Sequence, residues 1–329
     1  GYSSAASDVY KRQLIDSTQA LELNTLPSSA VIIGAGAVAL EFASLWNAAG
    51  CEVTLLIRKD RVLSTWERRA SMTLTRELKR RGVNVIARTA VDRVDTGANL
   101  GATVHYRQGD SDEDRTAYGE VVLAAIGRVP NTDADWFRSS GLKLDERGYV
   151  TVDGYGRTNL DGVWALGDIT PGHALAHRAF EQGITIAEKI AGADPKPVID
   201  DTVPQVVFSF PEAASVGLTL DQAKAREDVV EPKETAYPML SNARMLMSGE
   251  GGSMTVVSGA FANNPDMQVV LGVHIVSPIA SDLIAEAEQL VGNRVPLADA
   301  ARLIHPHPTF SETLGEALLK ADGRPLHTR

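Results

Sequence analysis

The chain has 329 residues, 44% of them hydrophobic, which is enough for two or three domains with their own cores and too apolar for a disordered protein. Its 42 Asp and Glu against 32 Lys and Arg give a formal charge of -10, which argues against nucleic acid or an anionic membrane as the main partner and for a small molecule or another protein. A single cysteine, Cys51, excludes an internal disulfide framework and a CxxC metal site, so no metal is expected and a reducing cytoplasm fits best.

Neither an apolar run of membrane-spanning length nor a signal peptide with a basic start and apolar centre is visible. Residues 1–13, GYSSAASDVYKRQ, are polar and aperiodic and read as a sequencing scar or a disordered tail. Organised sequence begins near Leu14. Ala30 to Ile33 is a short continuous apolar run, the pattern of a strand buried on both faces. Val38, Phe42, Leu45, Trp46 and Ala49 then recur at spacings of three and four, which predicts a helix ended by Gly50, and EVTLLI predicts the next strand.

Between the first strand and the helix stand Gly34, Gly36 and Ala39, a G-x-G-x-x-A pattern. Gly34 permits the tight turn, Gly36 lets the backbone approach a pyrophosphate, and Ala39 allows close packing of helix on strand. The helix N-terminus offers free N–H groups and a positive dipole end to phosphates. Where an NAD site carries an acidic residue at the end of the second strand, this chain has Ile57, then Arg58, Lys59 and Arg61. Cations without an acid lean toward the 2′-phosphate of NADP; a solvated basic loop is the alternative.

Further along, TWERRASMTLTRELKRR predicts an amphipathic helix, VNVIA a strand, and residues 92–115 a small antiparallel meander. EVVLAAIGRVPN reads as a buried strand ending at Gly127. TNLDGVWALGDIT reads as another strand, followed by a helix from about Ala174 to Ile190 and a linker, GADPKP. From Val203 onward, PQVVFSF, MTVVSGAF and VVLGVHIV alternate, and IASDLIAEAEQLV and PLADAARLI predict helices, so an antiparallel sheet carrying helices is expected. In IHPHPTFSE, His307 precedes Glu312 by five residues, a pairing suited to proton transfer because a neighbouring carboxylate favours the imidazolium and fixes its tautomer.

The ordered motifs STQAL, GAGAVALE, AAIGRVPNT, GVWALGDIT, LAHRAFEQG, FPEAASVGLT, LGVHIVSPIASDLI and HPHPTFSE resemble those of the flavin-dependent pyridine nucleotide-disulfide oxidoreductases, from about Leu14 to the C-terminus. Within that family they are most similar to the members that oxidise dihydrolipoamide. The resemblance implies an α/β fold: a Rossmann-like FAD/NAD(P)-binding domain (14–144 with its lead-in), a returning segment of the FAD domain (145–202) and a C-terminal α+β dimerisation domain (203–329).

The resemblance also implies roles for individual residues. Asp168 would bind the ribityl chain of FAD, and Leu175, Ala176 and His177 would open a helix toward the flavin ring. Glu41 would lie near the meeting point of nicotinamide and flavin, and Gly127 at a turn beside the cofactor. His307 and Glu312 would be the pair that takes a proton from a substrate thiol, so that the thiolate attacks an enzyme disulfide. His305 is expected to be structural. A homodimer is implied, and a lipoyl-bearing acyltransferase of a 2-oxoacid dehydrogenase complex by family alone.

The family's first glycine motif and its redox disulfide find no match in this sequence, and Cys51 reads as a small buried hydrophobe. An N-terminal truncation is the expectation, with the chain inactive by itself. Two alternatives remain open: an NADPH-dependent disulfide, mercuric or quinone reductase of the same family, and a non-catalytic nucleotide-binding dimer.

Overall fold

The structure, a computed structural model, describes residues 13–97 and 101–328. The opening segment up to residue 12 therefore lies outside the described residues. Two compact units are present, one from Gly1–Ile126 with Val206–Arg329 and the other from Gly127–Gln205.

In the first unit β1 (Leu14–Ile15), α1 (Ser17–Leu21), β2 (Ser29–Ile33), α2 (Ala37–Ala48), β3 (Glu52–Ile57), α3 (Arg68–Arg80) and β4 (Asn84–Ala87) follow one another. The meander is β5 (Thr89–Thr96), β6 (Ala102–Gln108) and β7 (Arg115–Gly119), and β8 (Val121–Ala124) follows. A five-stranded parallel sheet runs β1-β8-β2-β3-β4, with Ile32 opposite both Leu55 and Leu123.

The apolar run of β2 is continuous because each face of the sheet has its own core. Ala30, Ile32, Leu55, Ile57 and Leu123 pack with Leu40, Phe42 and Trp46 of α2 and Leu74 and Leu78 of α3. Val31, Leu56 and Val122 face Val104 and Tyr106 of the meander. Each fully buried Leu or Ile contributes roughly 1.5–3 kcal/mol, so these few side chains dominate the unit's stability. Leu45 departs from its expected place on the apolar face and is 58% exposed.

Helix α3 starts one residue after Glu67, whose buried carboxylate accepts the Arg69 N–H at 2.6 Å and the Ala70 N–H at 2.7 Å. The helix expected from Thr65 is therefore capped at Glu67, and Trp66 packs against the core from outside it.

The second unit holds α4 (Asp135–Ser139), α5 (Ala176–Ile190) and a small core of Phe137, Val150 and Ala165. The strand expected in TNLDGVWALGDIT is instead a single bridge, Arg157 to Trp164, and a 3-10 turn over Gly167–Ile169. Gly162 and Gly167, both at positive φ, bend the segment too often for a ladder to run. Likewise β8 stops at Ala124, short of Gly127.

The chain then forms β9 (Gln205–Val207), β10 (Glu212–Gly217), α6 (Leu220–Ala225), β11 (Val229–Pro238), α7 (Ala243–Ser248), β12 (Ser253–Phe261), β13 (Asn264–Ser277), α8 (Ala280–Gly292), α9 (Leu297–Ala300) and α10 (Glu312–Ala321). The sheet order is β11-β12-β13-β10-β9, and the β11–β12, β12–β13 and β10–β13 pairs are antiparallel. One face packs Tyr237, Val256, Val273 and Ile275 against Leu283 and Ile284 of α8 and Leu314 and Leu318 of α10. Its other face meets α3, so β12 is buried nearly throughout rather than alternating. PLADAARLI is helical only over Leu297–Ala300, since a chain that must become extended before Pro306 and Pro308 cannot prolong the helix.

Candidate active site

Gly34 and Gly36 perform different tasks. At Gly34 φ is +141°, and a Cβ would come within 2.2 Å of the Ala125 carbonyl oxygen, so only glycine fits. Gly36 is the N-cap of α2, has no side-chain cap, and a Cβ there would meet nothing within 4 Å. Open space over uncapped N–H groups at the start of a 12-residue helix suits a phosphate. Ala39, in the first turn of α2, is fully buried. Arg58 and Lys59, just past β3, are exposed, and their side chains have no ion-pair partner among the described residues. Glu41 is occupied structurally, its Oε1 accepting the Phe208 N–H at 3.0 Å.

Within the second unit, Asp168 is exposed in the 3-10 turn and makes no side-chain hydrogen bond or ion pair among the described residues. Leu175 is the N-cap of α5 without a side-chain cap, leaving the first N–H groups of a 15-residue helix available. The neighbouring His177 ring is tied down, since its Nε2–H donates to the Pro204 carbonyl at 2.7 Å. Gly127 has φ +148°, a conformation few other residues adopt. Sequence reading missed Arg178 in the first turn of this helix. It is buried, pairs with Asp200 through Nε to Oδ1 at 2.6 Å, and lines a cavity of about 300 Å³. Nothing in the separation of residues 178 and 200 signals that contact.

The C-terminal loop carries the expected pair. His307 Nδ1 lies 2.9 Å from Glu312 Oε1, while Glu312 Oε2 accepts the Thr309 N–H at 2.8 Å. With Nδ1–H given to the carboxylate, Nε2 is left without a protein partner among the described residues. The imidazole is 70% exposed and the carboxylate 20%, so the ring faces outward from a sheltered anchor. Burial pulls the Glu312 carboxyl upward, but the Thr309 N–H, the His307 hydrogen bond and the charges of His307 and His305 outweigh it, holding the carboxyl below its usual range. It therefore stays ionised at neutral pH.

His305, expected to be structural, is half-buried with Nε2 2.9 Å from Glu286 Oε1 on α8; that hydrogen bond outweighs burial and raises its pKa. His307 and Glu312 also line a pocket of about 200 Å³ with Tyr237, Glu316 and His327. None of these three stands out in the sequence, although the four-residue step from Glu312 to Glu316 does place both carboxylates on one helix face.

Residues 2–183 match the family described as pyridine nucleotide-disulphide oxidoreductase, and residues 203–318 match the dimerisation domain of that family. The chain is 37% identical over 314 residues to a dihydrolipoyl dehydrogenase of Cupriavidus necator and 36% identical over 324 residues to one of Geobacillus stearothermophilus. These alignments cover 95% and 97% of the chain, which spans 64% and 66% of the two relatives. LpdA from Mycobacterium tuberculosis superposes with a TM-score of 0.82 at 29% identity, over 95% of this chain and 65% of that one. No helix among the described residues is long and apolar enough to cross a membrane. With a parallel sheet, an antiparallel sheet bearing helices and the His-Glu loop on the latter, the chain belongs to the pyridine nucleotide-disulphide oxidoreductase family.

Proposed function

We propose that this chain works in a flavin-dependent dihydrolipoyl dehydrogenase, which oxidises dihydrolipoamide through a redox disulfide and FAD and passes a hydride to NAD(P)+. The observation that carries the proposal is the 2.9 Å contact between His307 and Glu312, with the far imidazole nitrogen unspent on an exposed loop. His307 Nε2 accepts the proton of a substrate thiol, and the Glu312 carboxylate stabilises the imidazolium so formed. The resulting thiolate is the nucleophile for the disulfide. Cys51 is the sequence's one cysteine, buried and with its thiol pushed up to about 11, so that disulfide is not formed among these 329 residues.

Gly34, Gly36 and Ala39 would hold the pyrophosphate of the nicotinamide nucleotide, with Arg58 and Lys59 at its adenosine end. Asp168 and the N-terminus formed by Leu175, Ala176 and His177 would serve FAD, while Gly127 gives a close turn. The fit rests on uncapped N-termini, the open space at Gly36 and an unpaired carboxylate at Asp168. When bound, FAD supplies two-electron acceptance and the nicotinamide nucleotide the final hydride acceptor. Glu41, already holding the Phe208 backbone, is read as fixing the junction rather than as a proton donor. A homodimer belongs to this reading, supported by the match to the dimerisation domain, and a reducing cytoplasm suits a chain with one buried thiol. The lipoyl-bearing acyltransferase partner follows from the family alone.

A second reading, an NADPH-dependent disulfide, mercuric or quinone reductase, is favoured by the unpaired cations Arg58 and Lys59. The deciding experiment uses the FAD-loaded enzyme that contains this chain. Replacing His307 by Gln should lower dihydrolipoamide oxidation by about 10²–10⁴-fold while sparing electron transfer from the nicotinamide nucleotide to an external quinone. Equal loss in both assays, or no loss in the first, would overturn the proposal.

A further inference from the structure

The pocket beside His307 holds a second pair built on the same plan as the first. Glu312 and Glu316 are one helical turn apart on α10. Each uses one carboxylate oxygen for an imidazole Nδ1 and the other for a backbone N–H. For Glu312 the partners are His307 at 2.9 Å and Thr309 at 2.8 Å; for Glu316 they are the His327 ring at 2.8 Å and the His327 N–H at 3.3 Å. In both pairs the carboxylate is sheltered and the imidazole is not, His327 being 64% exposed and Glu316 11%. Both imidazoles line one pocket of about 200 Å³. Tyr237 lines it too, 1% exposed, with a buried hydroxyl that has no partner among the described residues.

This set has a definite complementarity. Each imidazole, its Nδ1–H committed to a carboxylate, offers an Nε2 lone pair, and the Tyr237 hydroxyl is an unspent donor. Burial, and then the negative charges of Glu316 and Glu312, raise the Tyr237 pKa, which keeps that donor protonated. Two acceptors beside one donor suit a ligand with two acidic X–H groups, one of which becomes an anion. A monothiol would leave one acceptor idle.

We infer that Glu316 and His327 form a second proton-accepting pair, which makes this pocket a site for a dithiol; the inference rests on the thiol-oxidising function proposed above. Oxidation of a dithiol to its cyclic disulfide breaks two S–H bonds, forms one S–S bond and releases two electrons and two protons. The electrons cleave the enzyme disulfide of that reaction to two thiolates. One proton goes to His307 and the other to His327, so neither imidazole has to unload before the second thiol reacts.

The test is a titration of the ¹⁵N-histidine-labelled, FAD-loaded enzyme that contains this chain, held with its disulfide reduced, with dihydrolipoamide and, separately, with 8-sulfanyloctanamide, a monothiol of the same length, followed by imidazole ¹⁵N shifts. The dithiol should move both His307 and His327, and the monothiol His307 alone. His327→Gln should weaken dithiol binding by about fivefold, the worth of one hydrogen bond, without altering the monothiol. Movement of His307 only would overturn the second pair and leave the proposed function standing. Equal effects of His327→Gln on both probes would reduce His327 to a pocket wall and likewise overturn the inference. If neither ring responds to either probe, the thiol site itself is refuted and both proposals fall.

Discussion

Gly315 lies directly under His305: a Cβ at position 315 would come within 2.5 Å of the imidazole Nδ1, while the ring's other nitrogen reaches Glu286 at 2.9 Å. A glycine in the first turns of α10 is thus the seat for a histidine that joins α10 to α8. Gly315→Ala should gain about 1 kcal/mol of helix propensity and lose the seat. The expected result is a His305 titration that falls back toward 6.5, read by NMR, with the His307–Glu312 contact loosened two residues away.

His274 and His305 act on stability in opposite directions as pH changes. Burial lowers the pKa of His274, held between Ser215 at 2.7 Å and the Leu218 carbonyl at 3.2 Å. The unfolded chain takes up that proton first, so stability is full above pH 6.5 and falls as pH drops below it. For His305 the folded pKa is raised, so its contribution is full below 6.5 and is lost as pH rises through the folded value. Urea unfolding across pH 5–8 should therefore show a shallower acid-side loss in His274→Gln and a weaker decline above pH 6.5 in His305→Gln.

Glu67 caps α3 with both carboxylate oxygens from a buried position. Glu67→Ala removes the acceptor for two helix N–H groups and should cost about 1–2 kcal/mol. The check is a lower urea midpoint at unchanged slope, with early amide exchange in residues 68–71.

Gly34→Ala and Gly36→Ala should separate folding from nucleotide binding. The first forces a Cβ against the Ala125 carbonyl at positive φ and should lower the melting temperature sharply. The second adds a methyl where nothing stands within 4 Å and should leave melting unchanged. Because that methyl occupies the space over the α2 N-terminus, the Gly36 variant should still lose about tenfold or more in affinity for NADH and NADPH by calorimetry.

Arg58→Ala with Lys59→Ala should weaken NADPH more than NADH, since two exposed cations without acidic partners act chiefly on an additional phosphate. Equal weakening of both nucleotides, or none, would assign the two residues to a solvated loop.

Residues that depend on local geometry were legible in the sequence. Ala30 to Ile33 and the glycines behind it define the strand, turn and helix because burial on two faces and a positive φ leave direct marks in residue type. His307 and Glu312 were legible because a five-residue span and a loop keep them together. Glu286, Tyr237 and His327 reach the same region through packing between distant elements, and pairwise spacing carries no trace of that. TNLDGVWALGDIT misled for a related reason: its apolar residues resemble a strand, but glycine bends decide the backbone.

Leu314, Ala317 and Leu318 clamp α10 onto the sheet, so the separation between Glu312 and Glu316 is fixed by helical rise, about 6 Å over four residues. The helix serves as a ruler for the pocket, and the loops that deliver the imidazoles merely hang from its two marks. One residue inserted between positions 312 and 316 would turn the second mark by about 100° and carry Glu316 round to another side of the helix. Drift in loop length is tolerable for such a device, whereas drift in helix length is not.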